Sequence, residues 1–381
     1  MNSEVTILCA GDFSPRDLLA DQIEQEKFGG IFDNVRQYVL AADYSIVNLE
    51  APVVNNDSAK PITKIGPNLH CSSKAIDALV YAGFNMATLA NNHFYDFGDT
   101  GVSDTLGACK GKLDVIGGGL CLQDAIQPVR KTIKQQTFTF INCCEHEYSI
   151  ATTQSGGSNP LNPFLIYKQI QEAKKQQDRI VLIIHGGRES FQYPTLRMKE
   201  TYRFFIDAGA DVVINHHQHC YCGYEEYHKG LIFYGLGNFC FYNKLYSNDL
   251  WNYGYFVDLI FGENTISYKI HPYKQCSDKM GVFCLADEEL ETFTKHIREL
   301  SEAIQDDDIL AKELNEFVTR PEKDPLVVFE PYSNRILAAL RRRRLLPSFV
   351  SKKKKEQIKA KLLCEAHRDC IMAALHRQLG K

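Results

Sequence analysis

Three imidazoles, His216, His217 and His219, fall within four positions directly after the β-branched run Val212, Val213 and Ile214. A buried strand that ends in histidines is a poor way to pack a core and a good way to hold a cation, because neutral imidazole binds zinc, iron and manganese. His217 and His219 are two apart, so in extended backbone both rings leave on one side and reach one centre. Groups of matching chemistry stand at the ends of other strand-like runs: Asp12, Glu50, Asn92 with His93, and His185. Carboxylate, amide and imidazole together form the donor set of a hard-to-borderline divalent metal site, with oxygen favouring manganese and magnesium. Any one of them also reads as a cap or turn residue, Asp12 after Gly11 and Asn92 before a helical stretch being natural examples. Their recurrence at one kind of position is what points to a metal.

For these groups to meet, the runs that carry them must end along a common edge. Strand-like runs at Val5 to Ala10, Tyr44 to Asn48, Phe84 to Leu89, Thr137 to Asn142, Ile180 to Ile184 and Val212 to Ile214 alternate with helical periodicity. The helical stretches are Ile31 to Ala41, Lys74 to Ala82, Leu165 to Gln177 and Leu196 to Ala208. This alternation predicts an α/β fold, in which ligands bind beyond the strand ends. After His219, the runs Leu231 to Tyr234, Tyr255 to Phe261 and Thr265 to His271 are expected to join the sheet as antiparallel strands. From Glu288 onward Leu290, Phe293, Ile297, Leu300 and Ile304 repeat at alternating three and four, which predicts a helix. Arg320 to Pro325 interrupts the helical region before a second amphipathic stripe, Ile358, Leu362, Ala366, Cys370 and Ala374. The expected division is a body over 1–275 and a C-terminal helical region over 286–381.

The 381 residues are 44% hydrophobic and 24% charged, which fits a folded globular chain and excludes large-scale disorder. No run approaches the ~18 apolar residues of a membrane span, and the first residues lack a signal-peptide pattern, so a cytoplasmic location is expected. Thirteen cysteines without framework spacing fit reduced thiols. Cys220 with Cys222, and Cys143 with Cys144, lack zinc-knuckle spacing and are expected to be buried and inert. The net charge of −4 conceals a basic tail, because residues 341–381 hold thirteen Lys and Arg against three acidic residues. The runs Arg341 to Arg344 and Lys352 to Lys355 read either as a solvated helical surface or as a contact for a phosphate-rich partner or an anionic membrane face. The expected partner through Arg341 to Lys355 is therefore a membrane surface or a synthase, with no specific nucleic acid.

Taken in order, Gly11-Asp12, Asn48-Leu49-Glu50-Ala51-Pro52, Ala90-Asn91-Asn92-His93 with Asp96-Phe97-Gly98, His185-Gly186-Gly187-Arg188-Glu189, His216-His217-Gln218-His219 and Tyr234-Gly235-Leu236-Gly237-Asn238-Phe239 form a specific series. That series resembles the capsule-synthesis (CapA, poly-γ-glutamate biosynthesis) family of the metallophosphatase-like superfamily, over roughly residues 5 to 242. The resemblance implies a four-layered α/β/β/α sandwich with a C-terminal helical extension outside it and a metal site at the strand ends. It also implies a role in capsule, exopolysaccharide or polyglutamate metabolism.

Residue by residue, the resemblance makes Asp12 the first-motif aspartate and puts Glu50 in the place of the bridging aspartate. Asn92 becomes the amide ligand and His185, His217 and His219 the later histidine ligands of one or two divalent ions, manganese, zinc or iron. His93 matches the histidine that assists the leaving group. Arg188, Arg16 and Lys64 would neutralise a phosphate or carboxylate polymer, and Glu189 would accept a hydrogen bond from a ligand histidine and orient its ring. Five positions depart from the pattern. Ser14 stands where full phosphoesterases place a histidine, and Glu50 is one methylene longer than the usual bridge. Asn215 replaces a glycine, Gln218 a proline and Ser190 an aromatic. The expected activity is metal-dependent hydrolysis of a phosphoester or polymer linkage. The rival is a non-catalytic polymer-binding or assembly factor for surface-polymer biosynthesis on the same fold.

Overall fold

The computed structural model describes residues 4–381 apart from 56–57, 247–248, 321–327, 333, 364–366, 368–370, 372–374 and 376–381. Among the described residues, the strand Val5–Phe13 lies inside an eight-stranded sheet. Parallel strands Tyr44–Leu49, Met86–Thr88 and Asp114–Ile116 continue the sheet on one side, and antiparallel strands Tyr253–Phe261, Ile266–Gln275 and Val282–Cys284 on the other. A six-stranded sheet runs in the order Tyr224–Tyr227, Gly230–Phe233, Val212–His216, Arg179–His185, Gln136–Cys144 and Val129–Ile133.

The strands are apolar on both faces, and their period of two sorts the side chains into layers. Val5, Ile7 and Cys9 meet Phe138, Phe140, Val181, Ile183, Val212 and Ile214 between the sheets. Leu8 and Ala10 turn the other way, onto Phe32, Val35 and Leu79 of the helices Phe28–Ala41 and Lys74–Ala82. Leu182, Ile184 and Val213 pack outward on Ile166, Ile170, Tyr202 and Phe205 of the helices Pro163–Lys175 and Leu196–Ala208. The result is the expected α/β/β/α sandwich. The two outer helices start where their sequences say they should: Asn162 accepts from the Phe164 and Leu165 N–H groups, and Thr195 from that of Met198.

Two features differ from expectation. The strand Gly230–Phe233 runs parallel to Val212–His216 and not antiparallel. After the histidines the chain travels to the sheet's outer edge first, lays down Tyr224–Tyr227, and returns through a tight turn, so the inner arm of the hairpin points the same way as its neighbour. The second difference is the division. The helix Asp287–Ile304 sinks Phe293, Ile297 and Leu300 into the cluster between the sheets, and Ile304 and Leu310 join the outer cluster. The first compact unit accordingly extends to Ala311, past the expected end at 275.

The second unit begins at Lys312. Its helix Arg335–Arg342 is capped by Asn334, and Glu330 gathers Arg341 Nε at 3.0 Å and the Phe349 N–H at 2.9 Å. A further helix, Lys352–Leu363, carries Ile358 and Leu362; Ala366, Cys370 and Ala374 of the expected stripe lie outside the described residues. Ile336, Leu345 and Phe349, near the basic runs in sequence, are exposed. Among the described residues, no helix is long and apolar enough to cross a membrane.

Candidate metal centre

Asp12 stands one residue before the end of its strand, where Asn238–Cys240 joins in parallel with Asn238 level with Asp12. The junction is tight: a Cβ on Gly11 would lie 1.9 Å from the Gly237 carbonyl oxygen, so only glycine admits the approach. Glu50 follows the neighbouring strand, its N–H held by the Phe13 carbonyl at 2.9 Å. Asn92 and His93 follow Met86–Thr88 in a loop that Asn91 pins to the Leu49 carbonyl at 2.8 Å. From the facing sheet, His185 and His216 close adjacent strands in register with each other.

His217 and His219 lie past the strand end, with φ of 92° and 55°. They do not reach the centre by strand alternation. Each sits in left-handed backbone, a conformation costing about 1–3 kcal/mol for a residue with a side chain unless the surroundings enforce it. Two bonds fasten this turn: Asn215 Nδ2 donates to Gln218 Oε1 at 2.9 Å, and Gln218 Nε2 donates to the Phe191 carbonyl at 3.1 Å.

Two ligand groups share Glu50. Glu50, His185 and His217 bring donor atoms within 4.8 Å of one another, and so do Asp12, Glu50 and His219. Asn92 joins the first group through Oδ1, 3.1 Å from His185 Nε2; that nitrogen is also 3.0 Å from His217 Nδ1 and 3.7 Å from Glu50 Oε1. In the second group His219 Nε2 is 3.6 Å from Glu50 Oε1, and its Nδ1 is 3.6 Å from Asp12 Oδ2. The structure therefore brings Asp12, Glu50, His185, His217 and His219 together, with Asn92 beside His185, and among the described residues His93 is in neither group.

The electrostatics fit a cation. Both Glu50 oxygens are buried without a hydrogen-bond partner. Burial pushes that carboxyl well above its usual range, against the pull of His219, with Asp12 adding to the rise. Burial likewise drives His185 and His217 down, the neighbouring imidazoles adding to the effect. At His219 burial is outweighed by Glu50 and Asp12, which hold the ring up at about 10. Asp12 is held below the usual carboxylate range despite its burial, by the His219 bond and the imidazoles around it. Groups forced to share protons in this way exchange them readily for a divalent ion, and the mixed oxygen and nitrogen donors suit one.

Around the ligands, the structure redistributes several expected roles. His93 Nδ1 faces Asp96 Oδ2 at 2.6 Å, and Asp96 also accepts from the Leu69 N–H at 2.7 Å. Lys64, expected to meet an anionic substrate, is buried in an ion pair with Asp96, its Nζ 3.1 Å from His93 Nδ1. A buried carboxylate recruits the nearest cation, and no signal in the sequence marks Lys64 as that cation. Arg16 is the residue before the helix Asp17–Glu24 and donates from Nε to Asp17 at 3.2 Å, so its charge is spent on its neighbour. Arg188 and Glu189 stand exposed on the turn 187–190, and against the partial desolvation of its charge the Glu189 carboxyl is held below its usual range by His219, His217 and Arg188. The acceptors facing the outer ring nitrogens are Glu147, 3.7 Å from His217 Nε2, and Asn238, 2.9 Å from His219 Nδ1, and not Glu189.

Sequence reasoning passed over Asn48, whose Nδ2 donates to Asp12 Oδ1 at 2.7 Å and lies 3.3 Å from His185 Nδ1. Its signal was a lone amide inside an apolar strand, two positions before Glu50. Ser14 Oγ and His216 Nδ1 are also buried without a partner, the latter 3.7 Å from Asp12 Oδ1. Cys143, Cys144, Cys220 and Cys222 are buried free thiols, as expected.

The family model described as bacterial capsule synthesis protein PGA_cap matches residues 6–243, the stretch that contains all six candidate ligands. The capsule biosynthesis protein CapA of Bacillus anthracis is 32% identical over 249 residues, 63% of this chain and 60% of that protein. The PGA biosynthesis protein CapA of Bacillus subtilis (strain 168) is 33% identical over 226 residues, 57% of this chain and 58% of that protein. The match thus spans between 58% and 60% of the length of these two relatives. Similar solved structures include the NAD nucleotidase of Haemophilus influenzae, at TM-score 0.40 and 12% identity over 82% of this chain and 60% of that one. A 5′-nucleotidase precursor of Thermus thermophilus matches at TM-score 0.41 and 11% identity over 83% and 58%. On the extent of the family match, this chain belongs to the bacterial capsule synthesis protein family.

Proposed function

We propose that this protein is a divalent-metal-dependent hydrolase of a phosphoester or polymer linkage, working in capsule, exopolysaccharide or polyglutamate metabolism. The observation that supports this most is Glu50, a fully buried carboxylate with two unpartnered oxygens shared by both ligand groups. Asp12, Glu50 and His219 would hold one ion, and Glu50, Asn92, His185 and His217 a second. Bound there, a divalent ion would supply Lewis-acid polarisation of the scissile group and would lower the pKa of a water towards ~7. Asp96 accepts a hydrogen bond from the Nδ1–H of His93 and fixes its ring, which leaves the Nε2–H as the proton given to the leaving oxygen. Arg188, on the exposed rim, orients an anionic substrate, and the basic runs Arg341 to Arg344 and Lys352 to Lys355 give an anionic polymer or membrane face a second contact.

The test is metal analysis of the purified chain together with turnover of p-nitrophenyl mono- and diesters and of poly-γ-glutamate. The expected result is bound manganese, zinc or iron and turnover of one of these substrates, both lost in Glu50→Gln and His217→Ala. A metal-replete chain that turns over neither ester class, and that leaves poly-γ-glutamate uncut, overturns hydrolysis. It would leave the assembly-factor reading, which Ser14 at the position of a phosphoesterase histidine favours.

A further inference from the structure

Glu147, in the loop that follows the strand Gln136–Cys144, touches two members of one ligand group at once. Its Oε2 accepts from Asn92 Nδ2 at 3.3 Å, and its Oε1 lies 3.7 Å from His217 Nε2. Both contacts are behind the donor atoms. The atoms these two residues turn inward are Asn92 Oδ1, 3.1 Å from His185 Nε2, and His217 Nδ1, 3.0 Å from the same nitrogen. A carboxamide can offer a metal only its oxygen, and an imidazole only a nitrogen without a proton, so each ligand works in one of its two orientations or tautomers. A carboxylate is an acceptor at both oxygens. Behind Asn92 it favours the amide with NH2 outward and oxygen inward, because the reverse would set oxygen against oxygen. Behind His217 it favours the proton on Nε2, which leaves Nδ1 bare.

We infer that Glu147 is a positioning residue that sets the amide orientation of Asn92 and the ring tautomer of His217, holding the Glu50, Asn92, His185 and His217 group ready for a divalent cation. The inference rests on the metal-site reading above. The other group is supported separately, because the acceptor at His219 Nδ1 is Asn238 Oδ1 at 2.9 Å. Loss of Glu147 therefore acts on one ion position and leaves the other. Glu147 accepts a hydrogen bond from Asn92 and faces His217 as an ion-pair partner, and carboxylates on the far side of ligand residues typically contribute about 10- to 100-fold in metal affinity. The Glu147 side chain is 40% exposed, so a role in holding the fold together is small and the two effects separate cleanly.

The experiment titrates the full metal-free chain with Mn2+, Zn2+ and Co2+ against a chromophoric chelator, for wild type, Glu147→Ala and Glu147→Gln, and records the Co2+ absorption spectrum and the metal-free melting temperature of each. Glu147→Ala is expected to weaken one class of site by about 10- to 100-fold, to change the Co2+ spectrum, and to melt as wild type does without metal. Glu147→Gln keeps an oxygen for Asn92 but not a charged acceptor for His217, so it should fall between the two. Wild-type affinity in folded Glu147→Ala overturns the proposal; if that variant fails to fold, wild-type affinity in Glu147→Gln does so. A wild-type chain that takes up none of the three ions overturns the metal-site reading, and this inference with it.

Discussion

His93 and Asn92 are adjacent in the chain and do different work, which the backbone explains. Consecutive side chains leave the loop in different directions, so with Asn92 Oδ1 turned to His185 the His93 ring is carried to Asp96 instead. His93→Gln should keep the metal and the fold while slowing turnover about 10²- to 10⁴-fold for esters with poor leaving groups. For p-nitrophenolate, which departs without a proton, the loss should be small. Loss of metal as complete as in His217→Ala would make His93 a ligand and sink the assignment. The candidate ligands stand out in the sequence because a charged or imidazole side chain at the end of an apolar strand has few structural uses. Their supports do not. Asn48 and Asn238 stand inside the motif series, but their contacts to the candidate ligands, like those of Glu147, are tertiary, at separations from 19 to 137 residues. The left-handed backbone of His217 and His219 was hidden for a similar reason, since the Asn215 and Gln218 bonds that fasten the turn exist only in the folded loop.

Elements with strong periodicity were legible to the residue: the helices Lys74–Ala82 and Leu196–Ala208 have the bounds the pattern predicts. Strand direction was harder, because hydrophobic alternation is the same read either way, and only the path of the connection settles it. The sheet edge shows what then fixes such an element in place. Asp178, just before Arg179–His185, accepts from Arg130 Nε at 2.7 Å and Nη2 at 2.8 Å and from Thr139 Oγ1 at 2.7 Å, clamping the outer hairpin onto the sheet. The Arg130 bonds, with help from Thr139, hold the Asp178 carboxyl below its usual range despite burial. With the folded pKa below the unfolded value of ~3.9, the contribution is full above that value and is lost as pH falls through the folded one. Asp178→Asn should therefore cost about 1–3 kcal/mol at pH ~7, with the gap from wild type narrowing once the pH is taken below ~3.9. Urea melts on both sides of that value check this. A gap that stays constant would show the loss to be packing and not charge.

At the scale of the whole chain, the helix Asp287–Ile304 decides where the protein can be cut. Its periodicity was plain in the sequence, but an amphipathic stripe says only that a helix needs a partner, and not that the partner is the space between two sheets. Phe293, Ile297 and Leu300 are 3%, 2% and 1% exposed there. Removing large buried side chains costs about 2–5 kcal/mol each, and three such losses approach the whole ~5–15 kcal/mol stability of a typical domain. A chain ending at Gln275 should accordingly fail to fold. A chain ending at Ala311 keeps those residues and should retain wild-type metal content and ester turnover, because the second unit begins after it. What it should lose is anion binding. Ile336, Leu345 and Phe349, near Arg341 to Arg344 and Lys352 to Lys355 in sequence, are exposed as well. Charge of the kind these basic runs carry attracts an anionic face by about 1 kcal/mol per basic residue, within a Debye length that shrinks from ~10 Å at 0.1 M salt to ~3 Å at 1 M. Sedimentation of the full chain with anionic vesicles, and separately with poly-γ-glutamate, should show binding that falls steeply with salt and is absent from 1–311. Any binding left at high salt in the vesicle arm alone would come from the apolar side chains, which enter lipid but gain nothing from a soluble polyanion. Equal binding by the truncated and full chains would place the anion contact on the body and leave the basic runs as a solvated surface.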